Sequence, residues 1–196
     1  MFRPLLLCVL TLLLVSVPTK LISQESCDAA YIASDIHFSD THNLSQDAEA
    51  AAKAALIGQC FNNPINGDIA GTVQRVLRDV GYLRATALAP SMTVVDASHY
   101  PQRASLTFTV HEGSRSPVQE IEITGNNLID ADEVRSVIQV RLGEFLDMSK
   151  VRASSRTIQS LYRANGFSKM TFKQIVEFSA EPKVRVIFQI NEGPRS

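Results

Sequence analysis

Residues 184–193, VRVIFQINEG, end in Glu192-Gly193, and residues 105–113, SLTFTVHEG, end in Glu112-Gly113, 80 residues earlier. In the later stretch Val184, Val186, Phe188 and Ile190 alternate with Arg185, Ile187 and Gln189, the period of a strand with one buried face. The likeness extends upstream. Phe145 and Gly166-Phe167 precede the later copy, as Phe61 and Gly81-Tyr82 precede the earlier one. The interval from phenylalanine to glycine is 21 residues in one copy and 20 in the other. A repeat near 80 residues is too long for a solenoid unit, so each copy reads as a small domain with its own core.

The later copy is the clearer of the two. Gln119–Thr124 alternates, with Ile121 and Ile123 on one face and Glu120 and Glu122 on the other. Gly125-Asn126-Asn127 turns the chain, and Asp130 with Glu133 has the spacing of a capping box. Val134, Val137, Ile138 and Arg141/Leu142 then predict a helix that Gly143 ends. Ser149 is placed to cap a second helix, with Val151, Ser154/Ser155, Ile158, Leu161 and Tyr162 as its stripe. Gly166 sits where a left-handed C-cap is wanted. In the next strand Met170, Phe172, Val176 and Phe178 share one face and Thr171, Lys173 and Glu177 the other; Ser179–Pro182 turns into the last strand.

The earlier copy repeats this order with weaker signals. Ile32–Phe38 reads as a strand and Asp47–Ile57 as an alanine-rich helix. Ile65, Ile69, Val73, Val76, Leu77 and Val80 mark a second helix. Leu83–Val95 reads as a longer second strand interrupted by Pro90, and Leu106, Phe108 and Val110 mark the third. Gly81 to Gly113 spans 32 residues against 27 from Gly166 to Gly193, so the final hairpin is five residues longer here, around Asp96–Arg103.

The expected fold is therefore α+β: two tandem β-α-α-β-β domains, each a three-stranded mixed sheet covered on one face by two helices. The domain limits read as 28–113 and 117–193, with 114–116 as linker. A hairpin pairs the last two strands antiparallel, which leaves each sheet an open edge, either blocked or used for docking.

Before these domains, Arg3 and the 13-residue apolar run Leu5–Val17 resemble a secretory signal, read as residues 1–23. The run is short for a membrane-spanning helix, although an uncleaved anchor is the alternative. Removing the signal removes Cys8 and leaves Cys27 and Cys60. In an oxidising compartment that pair points to a disulfide, the alternative being two separate buried thiols. A net charge of −1 offers no footprint for nucleic acid.

Order, length and punctuation resemble the POTRA domain, the periplasmic module of BamA- and TamA-like outer-membrane assembly factors and of two-partner secretion transporters. The stretches that carry the resemblance are Ile121–Asn126, Leu161–Phe167 and Phe188–Gly193, and it is stronger over 117–193 than over 28–113. It implies a periplasmic place and binding of partner strands along the second strand's edge, here about Leu83–Val95 and Lys169–Phe178. The implied contact residues are Leu83, Ala85 and Ala87 in the first domain and Met170, Thr171, Phe172, Lys173, Ile175 and Glu177 in the second. Family arrays lead into a β-barrel, whereas three residues follow Gly193, so the expectation is a scaffold or adaptor and not an inserting or conducting protein. Its expected partners are envelope or outer-membrane proteins, with no cofactor and no small-molecule substrate, and membrane contact only through a partner or an uncleaved signal. An inner-membrane-anchored module of the cell-division type is the nearest alternative.

An enzyme is the competing class. Asp35-Ile36-His37, with Gly67-Asp68 downstream, resembles the opening metal motif of metallophosphoesterases. The remaining histidines after His42, His99 and His111, follow no asparagine, and the second copy has no histidine at the matching place. The four histidines and Ser154-Ser155 show no spacing that pairs a nucleophile with a base. The sequence favours a non-enzymatic reading.

Overall fold

The computed structural model describes residues 27–63 and 68–195. The signal reading at 1–23 and the helix position Ile65 fall outside the described residues. The fold is α+β, two tandem domains each with its own sheet and core.

The second domain comprises β6 (Val118–Thr124), α3 (Ala131–Ser136), α4 (Met148–Ala164), β7 (Thr171–Ala180) and β8 (Lys183–Asn191), following five strands and two helices of the first. Its sheet has the order β6-β8-β7, with β6 parallel and β7 antiparallel to the central β8. The alternation of β8 sets the layers. Val184, Val186, Phe188 and Ile190 are buried with Val151, Ile158 and Tyr162 of α4, while Arg185, Ile187 and Gln189 face away.

Two local details differ from the sequence reading. Helix α3 ends at Ser136 and does not run on to Gly143. Side chains of α4 take the backbone groups a longer helix would have used. Ser154 Oγ accepts from Gln139 N at 2.8 Å, and Thr157 Oγ1 donates to Val137 O at 2.9 Å. Helix α4 is capped by Asp147 and not Ser149, since Asp147 Oδ1 accepts from Ser149 N at 2.8 Å and from Lys150 N at 3.4 Å. Hydrogen bonds from Ser149 and Lys150 hold the Asp147 carboxyl below its usual value, although burial works against them.

The first domain runs β1 (Tyr31–Ser39), α1 (Gln46–Leu56), β2 (Cys60–Phe61), α2 (Ile69–Asp79), β3 (Thr86–Ala87), β4 (Ser91–Asp96) and β5 (Gln102–His111). Its sheet has five strands instead of three. β1 is parallel to the central β5, as in the second domain, but β2 adds antiparallel to the start of β1, pairing Tyr31 with Phe61 and Ile32 with Cys60. Beside this pairing Cys27 is disulfide-bonded to Cys60, their Cα atoms 5.9 Å apart. The other side of β5 carries β3 and β4, separate strands because Pro90 between them has no N–H to give to a ladder. Ala87 opposes Val110 and Ser91 opposes Thr107, so four steps on one side meet three on the other.

The recurrent Glu-Gly pairs have one structural task. Glu112 and Glu192 are buried at 4% and 6% exposure. Glu112 Oε1 accepts from His42 N at 2.8 Å and Asn43 N at 2.5 Å, and Glu192 Oε1 accepts from Leu128 N at 2.9 Å. Each carboxylate thus ties the end of its domain's last strand to the loop after the first.

Candidate partner-binding edge

The junction between the domains decides which strand edges remain free. Ser116 N donates to Gly81 O at 2.8 Å, and Leu146 N donates to Ser116 O at 2.9 Å. Arg115 donates from Nε to Val80 O at 2.8 Å and from Nη2 to Asp47 Oδ2 at 2.9 Å. Its guanidinium lies 5.6 Å from the Tyr82 ring centre and 4.8 Å from that of Phe145. Arg152 and Asp79 add an ion pair at 3.1 Å, and Leu83 packs against the core of the second domain.

This junction corrects the first-domain edge residues. Leu83 and Ala85 are not strand residues. They lie in a turn closed by Ala85 N to Tyr82 O at 2.9 Å, where Leu83 meets the second domain and Ala85 is fully buried. Ala87 belongs to the two-residue β3 and is also buried. On that side of β5 the outer strand with exposed residues is instead β4.

In the second domain Gly143 N donates to Val118 O and Val118 N donates to Glu144 O, both at 2.8 Å, so the start of β6 is already partnered. On the opposite edge β7 has β8 as its one strand partner among the described residues. Its far end is tethered: Arg84 pairs with Glu181 and lies 5.4 Å from the Phe178 ring centre. The unobstructed stretch is therefore Thr171–Glu177. Met170 lies just before the strand and packs inward.

Side chains on this stretch divide between two faces. Phe172 and Val176 pack against the core, and Gln174 accepts a hydrogen bond from the buried Ser155. Thr171, Lys173, Ile175 and Glu177 lie on the helix-free face, opposite Asn191, Gln189, Ile187 and Arg185 of β8. Arg185 is the charge centre of that face. Its Nη1 is 3.4 Å from Glu122 and 3.7 Å from Glu177, and its Nε is 3.0 Å from Glu120 without the alignment of a hydrogen bond. At the Thr171 end the strand borders a shallow groove formed with Gly125, Asn127 and Asn191.

The residues of the metal motif pair with each other: His37 Nε2 is 2.8 Å from Asp35 Oδ2, both largely exposed. His99 Nδ1 is 3.0 Å from Asp96 Oδ2 and 2.9 Å from Ser98 Oγ, so serine and carboxylate approach the same ring nitrogen and form no relay. Among the described residues no group of three or more His, Cys, Asp or Glu could hold a metal ion, and no helix is long and apolar enough to cross a membrane.

Residues 116–193 match the POTRA family model, described as surface antigen variable number repeat. Among solved structures the chain is similar to the POTRA3-5 segment of Haemophilus influenzae BamA, at 16% identity and a TM-score of 0.55, over 84% of this chain and 67% of that one. It is similar to POTRA1-2 of the periplasmic domain of Omp85 from Anabaena, at 13% identity and a TM-score of 0.52, over 84% of this chain and 97% of that one. POTRA1-3 of the same Anabaena domain gives 12% identity and a TM-score of 0.52, with 83% of this chain and 61% of that one covered. The chain matches no curated protein sequence. At these identities the likeness is one of fold. The described residues have the fold of tandem POTRA domains, and residues 116–193 match the family model.

Proposed function

We propose that this chain is a non-enzymatic periplasmic scaffold that binds extended polypeptide by adding a strand to β7. The observation that carries the reading is the free edge Thr171–Glu177, bounded at one end by the Arg84 contact and at the other by an open groove. An incoming strand would take its main affinity from backbone N–H and C=O groups, about half of which point away from β8 on such an edge. Side chains opposite Lys173, Ile175 and Glu177 would add selectivity. Envelope or outer-membrane proteins in transit fit as partners because they present extended segments. Kinship in fold with the Omp85 and BamA segments supports that setting. The first-domain edge β4, with Val95 57% exposed, is a second and shorter place of the same kind.

The test is photo-crosslinking in cells from Thr171, Lys173 and Glu177, compared with Arg156 on the outer face of α4. Capture of envelope proteins from the strand positions supports the reading. Capture from Arg156 alone would sink it.

A further inference from the structure

Taken from its centre, β7 places alike or oppositely charged residues at most of its mirrored positions. About Ile175, Gln174 mirrors Val176, Lys173 mirrors Glu177, Phe172 mirrors Phe178 and Thr171 mirrors Ser179. When a two-fold axis passes between an antiparallel pair of identical strands, each residue meets the one at its mirror position, so mirrored residues must be complementary. With Ile175 set opposite Ile175 of a second copy, Lys173 of each strand faces Glu177 of the other. Directly opposed side chains lie close enough to interact, and opposite charges there are favourable while like charges are not. The pairing by faces agrees as well: Lys173 and Glu177 both lie on the helix-free face, Phe172 and Phe178 on the other. Sliding the register by one residue sets Lys173 opposite Val176 or Phe178, and sliding it by two sets it opposite Ile175 or Ser179. Each slip loses both ion pairs. The exposed edge strand of the first domain, β4, reads SMTVVD with Asp96 as its one charge, and has no such symmetry.

We infer that β7 is a self-complementary edge through which two copies of this chain pair antiparallel about Ile175. The two three-stranded sheets become one six-stranded sheet with both helix layers on the same side, because directly opposed residues share a face. Glu177 has the capacity for this contact, since its 3.7 Å approach to Arg185 is the longest of the three carboxylates there. The inference uses the edge assigned above but needs no client. A client segment and a second copy compete for one row of backbone groups.

The test is sedimentation equilibrium of the full chain, with melting temperatures confirming that each variant is folded. The wild type should show a concentration-dependent dimer. Lys173→Glu and Glu177→Lys, measured separately, should each raise its dissociation constant about tenfold, since every reversal creates two like-charged contacts across the axis. Mixing the two variants should restore association, because two acids then face two lysines. Under oxidation Ile175→Cys should form a dimer-linking disulfide, and Gln174→Cys, which faces Val176, should not. A monomer at all concentrations, a dimer indifferent to both reversals, or a mixture that does not recover would overturn the inference. Client capture from Thr171 without a dimer would leave the scaffold reading standing, and a dimer without capture would do the reverse.

Discussion

Tyr162 Oη donates to Glu192 Oε1 at 3.1 Å inside the second domain, where the phenol is wholly buried and the carboxylate nearly so. Burial is the larger cause that raises the Tyr162 phenol above its usual value, and the adjacent carboxylate adds to it. The same oxygen of Glu192 also receives Leu128 N. One acid therefore joins the last strand, the long helix α4 and the loop after β6.

Removing either partner should be costly and coupled. Tyr162→Phe should lower stability by about 1.5–3 kcal/mol, the range for a hydrogen bond to a charged group. Glu192→Ala should cost about 3 kcal/mol, because it leaves the buried Tyr162 hydroxyl and the Leu128 N–H without an acceptor. In urea melts the double variant should lose less than the two losses together, with about 1–2 kcal/mol of coupling. Simple additivity would show that the contact carries no energy.

The corresponding acid of the first domain gives a pH dependence. Burial raises the Glu112 carboxyl, but the N–H groups of Asn43 and His42 outweigh it and hold the net value below the ordinary range. A group depressed in the folded state contributes stability above the unfolded value of about 4.3, and that contribution fades as pH falls through the folded value. Asp147 acts with the same sign in the second domain. Melting temperature should therefore drop below about pH 4, more steeply in the wild type than in Glu112→Gln. Equal slopes would remove Glu112 from the account.

Gly81 should not tolerate a side chain. Its φ of +101° is in the left-handed region, and an added Cβ would lie 2.9 Å from Leu146 O across the junction. Gly81→Ala should cost about 1–3 kcal/mol from backbone strain alone. It should also weaken the Ser116 N to Gly81 O bond between the domains, read as faster amide exchange at Ser116. Wild-type stability and exchange would show that the junction yields freely.

Reduction should act on one domain. The Cys27–Cys60 bond closes a separation of 33 residues within the first domain. The chain-entropy argument assigns such a loop about 3–4 kcal/mol. A Cys27→Ser, Cys60→Ser variant should melt earlier by that amount in signals from the first domain. An equal loss in the second would show that the cross-link acts across the junction.

Most of the second domain was legible because its signals are local. Val184, Val186, Phe188 and Ile190 alternate without interruption, and all four are buried. What the sequence hid depended on distant partners. The apolar run Val134, Val137, Ile138 reads as a helix past Ser136, yet Ser154 and Thr157 from α4 capture its backbone. Cys60-Phe61 is too short to show a period, so β2 could not be read. Leu83 and Ala85 look like the start of a strand, but tertiary contacts place one at the junction and bury the other. The buried acids were visible only as a recurrence, the Glu-Gly that closes each copy. Their partners lie 64 to 70 residues away in sequence. The edge residues from Thr171 to Glu177 were implied by the family resemblance alone, and the sheet order β6-β8-β7 does set β7 outermost.

Leu83 belongs by sequence to the first domain and packs against the core of the second. The two repeats are therefore not interchangeable modules. A lineage that duplicates, swaps or deletes one of them must supply a matching hollow for that leucine, or leave an apolar side chain in water at the joint. The unit that recombination can move without repair is the pair.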